Sequence, residues 1–244
     1  MAIPESFKVG VATYKNLELA DAACVDMVAA LGRDFLDRLS RFTGLDKSWV
    51  EMAPAVTIDW IHSTTEVIPT SAGLLLKPTV TYATAPGNYD LLLVPGLSFE
   101  GHPEGSAEFL KEAVKQSKVV MTTCGRSMWL ADLGLLDGKD ATTNSQTLPR
   151  MREAAKDVNW QDRNWVVDGK FWTSGAAGFG ELLPFCSVLI VMSVQMSNSV
   201  SNTGYGMMAE FCRKTFPSDI SDLQLQGLGF GSFGSQETNR GIEP

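Results

Sequence analysis

The chain has 244 residues, 44% hydrophobic and 20% charged, a composition that excludes a disordered polymer and suits one sizeable globular domain. Its net charge of -8 and pI near 4.8, without any run of Lys or Arg, leave nothing to neutralise phosphates, so no nucleic acid partner is expected. Met1 to Lys8 shows no basic start followed by an apolar stretch, which predicts a cytoplasmic protein, with the nucleus as a further location, and no membrane partner.

In chain order, Phe7 to Thr13 reads as a strand and Leu17 to Leu39 as a helix with apolar residues at helical spacing. Val56 to His62 alternates as a strand, Leu74 to Val80 is a weaker one, and Leu91 to Pro95 is a short apolar run suited to a central buried strand. A helix over Ser106 to Gln116, a buried strand over Val119 to Thr123 and a helix over Arg126 to Leu136 follow. Pro149 to Lys156 reads as a helix, and the strands Trp165 to Val167 and Phe171 to Thr173 bracket the hairpin turn Asp168-Gly169. Strands alternating with helices predict an α/β fold, a mostly parallel central sheet covered on both faces. The glycines at 229, 231 and 234 match G-x-G-x-x-G, but that fingerprint requires a strand before it and a helix after it. Here it lies in a polar tail over 226–244 that is expected to be flexible, so no nucleotide cofactor is expected, nor any other.

The segment Val119 to Leu130 carries the chemistry. A buried strand stops at Cys124 and turns at once into a helix, which brings unpaired N–H groups to the sulfur and predicts a lowered thiol pKa. Gly125 permits the sharp turn and can offer its N–H to an oxyanion. Cys24, Cys186 and Cys212 have no paired metal-site spacing, and at least three of the four cysteines are readable as small buried hydrophobes. The only histidines read as a strand residue with a satisfied ring, His62, and a surface loop residue, His102, so no metal site is expected.

Five segments in order resemble the ThiJ/PfpI superfamily, which is class I glutamine amidotransferase-like. They are Leu17 to Asp21, Asp90 to Gly96, Thr123-Cys124-Gly125, Leu133 to Thr142, and Trp165 to Gly175. The resemblance implies a flavodoxin-like three-layer sandwich over 1–225 with a nucleophile-elbow cysteine, Cys124 as nucleophile, and an acid beside its sulfur, assigned to Asp21. The aspartate resembles the isocyanide hydratase branch more than the deglycase branch. Gly96 and the N–H of Leu97 are implied as oxyanion or substrate contacts, and Trp60, Phe99 and Trp129 are candidates for pocket walls. In two places the chain departs from the family: Leu97 stands where many relatives have a second glycine, and Asn144 where they have a histidine. The resemblance implies a homodimer acting on a small electrophilic carbon, as in isocyanide hydration to an N-formamide. Glyoxalase or deglycase chemistry and a non-catalytic redox sensor are the alternatives.

Residues 181–203 interrupt the family pattern. Joining Gly180 to Tyr205 restores it, and Gly180-Glu181 and Thr203-Gly204 can be encoded with intron boundaries that keep the frame. The segment is therefore read as an insertion or an unremoved intron, with a genuine packed hydrophobic element as the other reading.

Overall fold

The computed structural model describes residues 5–96, 101–175 and 204–228. The first strand, β1 (Ser6–Ala12), leads not into one helix but into three: α1 (Leu19–Ala22), α2 (Val25–Ala30) and α3 (Arg33–Thr43). The last break falls at Gly32, whose backbone is extended and where a Cβ would press on Val56 at 2.9 Å. There the chain bends closely over the sheet, and helical periodicity alone does not reveal that contact. A helix absent from the sequence reading, α4 (Lys47–Met52), starts where the Asp46 side chain accepts the Ser48 N–H at 2.9 Å.

After β2 (Ala55–His62), the expected strand over 74–80 is instead a small hairpin, β3 (Ile68–Pro69) with β4 (Leu75–Leu76), followed by the separate β5 (Val80–Thr81). Pro78 between the last two has no N–H to donate to a ladder. Next come β6 (Leu91–Val94), α5 (Ser106–Gln116) and β7 (Val119–Thr122). The helix expected over 126–136 is shorter, a 3₁₀ turn (Cys124–Arg126) followed by α6 (Ser127–Asp132), and Gly134 beyond it takes a left-handed φ of 70°. The remaining elements are β8 (Asp140–Ala141), α7 (Leu148–Ala154), β9 (Asn159–Trp160), the hairpin β10 (Trp165–Asp168) and β11 (Phe171–Ser174), α8 (Gly204–Thr215) and α9 (Ser218–Gly227). Helix α9 takes in the first two residues of the expected tail, because Leu225 is buried and holds the last turn down. Residues 181–203 and 229–244 lie outside the described residues.

The central sheet has the order β10-β11-β7-β6-β1-β2-β5 and is parallel except for β10 against β11. Each face is covered by its own apolar cluster. One gathers Val9, Val11, Leu91, Leu93 and Met121 under α2, α3, α8 and α9, and the other gathers Leu92, Val94 and Val120 under α5, α6 and α7. This is the α/β architecture expected from the alternating pattern: strands buried on both faces, with Leu91 to Val94 apolar at every position. The carboxyl ends of β1, β6 and β7 lie side by side, and their following loops meet there, as open parallel sheets place their sites.

Candidate active site

Cys124 leaves the end of β7 with a φ of 55°, one of only two non-glycine residues among those described with positive φ. A left-handed side-chain-bearing residue costs of order 1–2 kcal/mol. Here the strain lifts the sulfur out of the strand direction, and the side chain stays half-buried while Cys24 and Cys212 are fully buried. Cys186 lies outside the described residues.

The loop after β1 supplies the acids. Carboxylate oxygens of Glu18 and Asp21 and the Cys124 sulfur all lie within 4.8 Å of one another. Asp21, on α1, is 2% exposed, so the acid assigned from the sequence does reach the sulfur. Glu18 was not singled out in the sequence. The signal that could have found it is the i, i+3 spacing of two acids on one helical turn. Two further hydrogen bonds tie this loop to the elbow: Thr123 Oγ1 donates to the Asp21 carbonyl at 3.1 Å and accepts the Gly96 N–H at 3.2 Å. The Gly96 N–H is thereby engaged on Thr123. Gly96 also supplies space, since at its φ of 77° a Cβ would overlap the Tyr14 hydroxyl and stand 3.1 Å from an Asp21 oxygen. Leu97 and Phe99 lie outside the described residues.

Asn144 occupies the place left by the family histidine. Its Nδ2 donates to Cys124 Sγ at 3.4 Å, and its Oδ1 accepts the Gln146 N–H at 2.9 Å, which fixes which end of the amide faces the sulfur. An amide can stabilise a thiolate but cannot take its proton. The histidines stay outside this group. His62 Nδ1 accepts the Thr64 N–H at 3.3 Å, and the exposed His102 stacks on Trp129 at 4.5 Å between ring centres. Trp60 is partly buried against the core and Trp129 is fully buried.

Burial pushes the Cys124 thiol up to about 11, with the Asp21 carboxylate adding to the rise, while Asn144 and the Gly125 N–H pull the other way. The lowered pKa expected from the strand-to-helix turn is thus not what the structure holds. The helix behind the sulfur is one 3₁₀ turn and six residues, too short to offset desolvation and two acids. Cys24, fully buried, is pushed further, to about 12. Burial first, then a hydrogen bond and repulsion from Glu18, push Asp21 up to about 8, against the pull of Arg126. Asp21 therefore keeps its proton through neutral pH and can hand it to a bound molecule. The spacing of Glu18, Asp21 and Cys124 would admit a small cation, but the proton that burial favours on Asp21 competes with one, and neither histidine joins the group.

A cysteine on a strained turn at the carboxyl edge of a parallel sheet, with a protonated acid and an amide beside its sulfur, defines a nucleophile-elbow α/β protein. A model described as the DJ-1/PfpI family matches residues 48–191, more than half the chain, and the chain belongs to that family. It is 33% identical over 133 residues to the isonitrile hydratase of Pseudomonas putida, a match covering 52% of this chain and only 56% of that enzyme. The fold is similar to that of a ThiJ/PfpI family protein from Pseudomonas syringae, with TM-score 0.67, 13% identity, and coverage of 99% of this chain and 81% of that one. It is similar also to Drosophila melanogaster DJ-1beta, with TM-score 0.57, 16% identity, and coverage of 91% and 97%.

Proposed function

We propose that this protein is a cysteine-dependent enzyme that adds Cys124 to a small electrophilic carbon, with hydration of an isocyanide to an N-formamide as the reaction. The observation that carries the reading is the half-buried sulfur at φ 55° within 4.8 Å of the protonated Asp21 and its partner Glu18. The similarity to an isonitrile hydratase supports the choice of substrate class.

The sulfur attacks the terminal carbon of the isocyanide, forming a C–S bond. The thiol proton passes to the Asp21–Glu18 pair, and the pair returns one proton to the same carbon, which yields a thioimidate. Water then adds to that carbon as the nitrogen takes up a proton, the Gly125 N–H facing the charge that develops, and the C–S bond breaks to restore the thiol. The sum is isocyanide plus water to N-formamide. The hydrogen-bonded acid pair supplies the proton relay that Asn144 cannot.

Purified protein incubated with a simple isocyanide is expected to release the N-formamide, with Cys124→Ser and Asp21→Asn each reducing turnover by at least a hundredfold. Turnover of methylglyoxal but not of the isocyanide would move the reading to glyoxalase chemistry. A peroxide-dependent gain of two oxygens at Cys124 with no turnover of either compound would move it to redox sensing. The protein is further proposed to be a homodimer. Light scattering at micromolar concentration should give twice 26.5 kDa, and a monomer mass alone would refute it.

A further inference from the structure

Two residues beyond the nucleophile, Arg126 is 3% exposed, and the proposed reaction does not use it. Its guanidinium lies over two aromatic rings, 4.0 Å from the Tyr14 ring centre and 4.4 Å from that of Trp129. Contact with the rings does not supply hydrogen bonds to its N–H groups. Of those groups, Nε and Nη2 find no partner among the described residues. These two nitrogens form the side-on fork of an arginine, the pair that meets both oxygens of a carboxylate.

The surroundings point the same way. The Ser127 hydroxyl and the Trp129 indole N–H are also buried without a hydrogen-bond partner among the described residues, one on the residue after Arg126 and the other on a ring against which its guanidinium lies. Every one of them can donate, and the indole and the guanidinium can only donate. Among the described residues no carboxylate bonds this fork, and Asp21, whose charge acts on the guanidinium, is held protonated at neutral pH chiefly by its burial. A buried positive charge facing unmet donors calls for an anion. Asp21 is also the neighbour of the Cys124 sulfur, so the cation and the nucleophile flank one side chain.

We propose that the Arg126 fork, set against the Tyr14 and Trp129 rings, is a carboxylate-binding subsite, and that the substrate of Cys124 carries a carboxylate at the end away from its reacting carbon. The proposal rests on the reading of Cys124 as the nucleophile and specifies its substrate class.

The test uses butyrate and its neutral isostere butyramide at constant ionic strength. In calorimetric titration of Cys124→Ser protein, butyrate is expected to bind at least tenfold more tightly than butyramide. Arg126→Met should abolish that preference, and Arg126→Lys, which keeps charge without the fork, should retain only part of it. Butyrate should also slow iodoacetamide alkylation of Cys124 in the otherwise unaltered protein, saturably, and should not do so in Arg126→Met. Equal binding of the two probes, an unchanged preference in Arg126→Met, or butyrate binding without protection of Cys124 would each overturn the proposal. If Arg126→Met does not fold, Trp129→Phe provides the second measurement, with the preference falling about threefold and an unchanged preference counting against the subsite. Failure of the isocyanide reaction alongside Arg126-dependent protection would remove the proposed reaction and leave the subsite standing.

Discussion

Replacing Asp21 by Asn removes a carboxyl that holds its proton up to about pH 8 and then becomes a charge within 4.8 Å of the Cys124 sulfur. Two unit charges at that separation repel by about 3.5 kcal/mol at an effective dielectric of about 20. Water at the half-exposed sulfur reduces this to about 1–2 kcal/mol, or about one pH unit in the thiol. Below pH 8 the two proteins should therefore be alkylated by iodoacetamide at similar rates, since neither carries the charge. Above pH 8 the unaltered protein must form its thiolate against a carboxylate, so its rate should climb by less than tenfold per pH unit on the way to the thiol midpoint near 11. The Asp21→Asn rate should keep climbing and exceed it by about tenfold between pH 9 and 10. The assay is mass-resolved alkylation of Cys124 from pH 6 to 11. Superimposable profiles, or a variant slower at pH 9.5, would refute the assignment of the Asp21 charge to the sulfur.

Asn144→Ala removes the amide donor from the sulfur and leaves the acids in place. Its alkylation at pH 8 should fall about fivefold, from a charge-assisted bond worth about 1 kcal/mol at this length, with little change in melting temperature; an unchanged rate would mean that the amide does not support the thiolate. Asp21 also makes stability depend on pH. Its folded value of about 8 lies above the ordinary 3.8, so the folded state binds the extra proton, and stability is lost as pH rises from about 4 through 8. The melting temperature of Asp21→Asn relative to the unaltered protein should rise across that window and level off above it, and a difference that is constant or falls with pH would contradict the burial argument. For residues 181–203, the dominant mature transcript is expected to lack their codons and to join Phe179 to Tyr205 through a single glycine. A dominant message that retains them would dispose of the intron.

By itself the sequence determined the α/β class, because Leu91 to Val94 and Val119 to Thr122 are apolar runs too short for helices and flanked by helical periodicity. It also located the elbow at Cys124, since a strand that ends on a cysteine beside a glycine reads the same before and after folding. The Asp168-Gly169 hairpin was legible for the same local reason: a two-residue turn states its own geometry. What the sequence could not carry were contacts between segments distant along the chain. Only the tertiary structure places Glu18 with Asp21 at a sulfur more than a hundred residues away, engages the Gly96 N–H on Thr123, and turns Asn144 toward the thiol. Only burial reverses the expected thiol shift, because desolvation depends on everything packed around the sulfur and not on the turn that presents it. The same holds for Arg126, which in sequence is one more residue at the start of a helix. Two aromatic side chains, one from the loop after β1 and one from α6, lie against its guanidinium, whose Nε and Nη2 find no hydrogen-bond partner among the described residues.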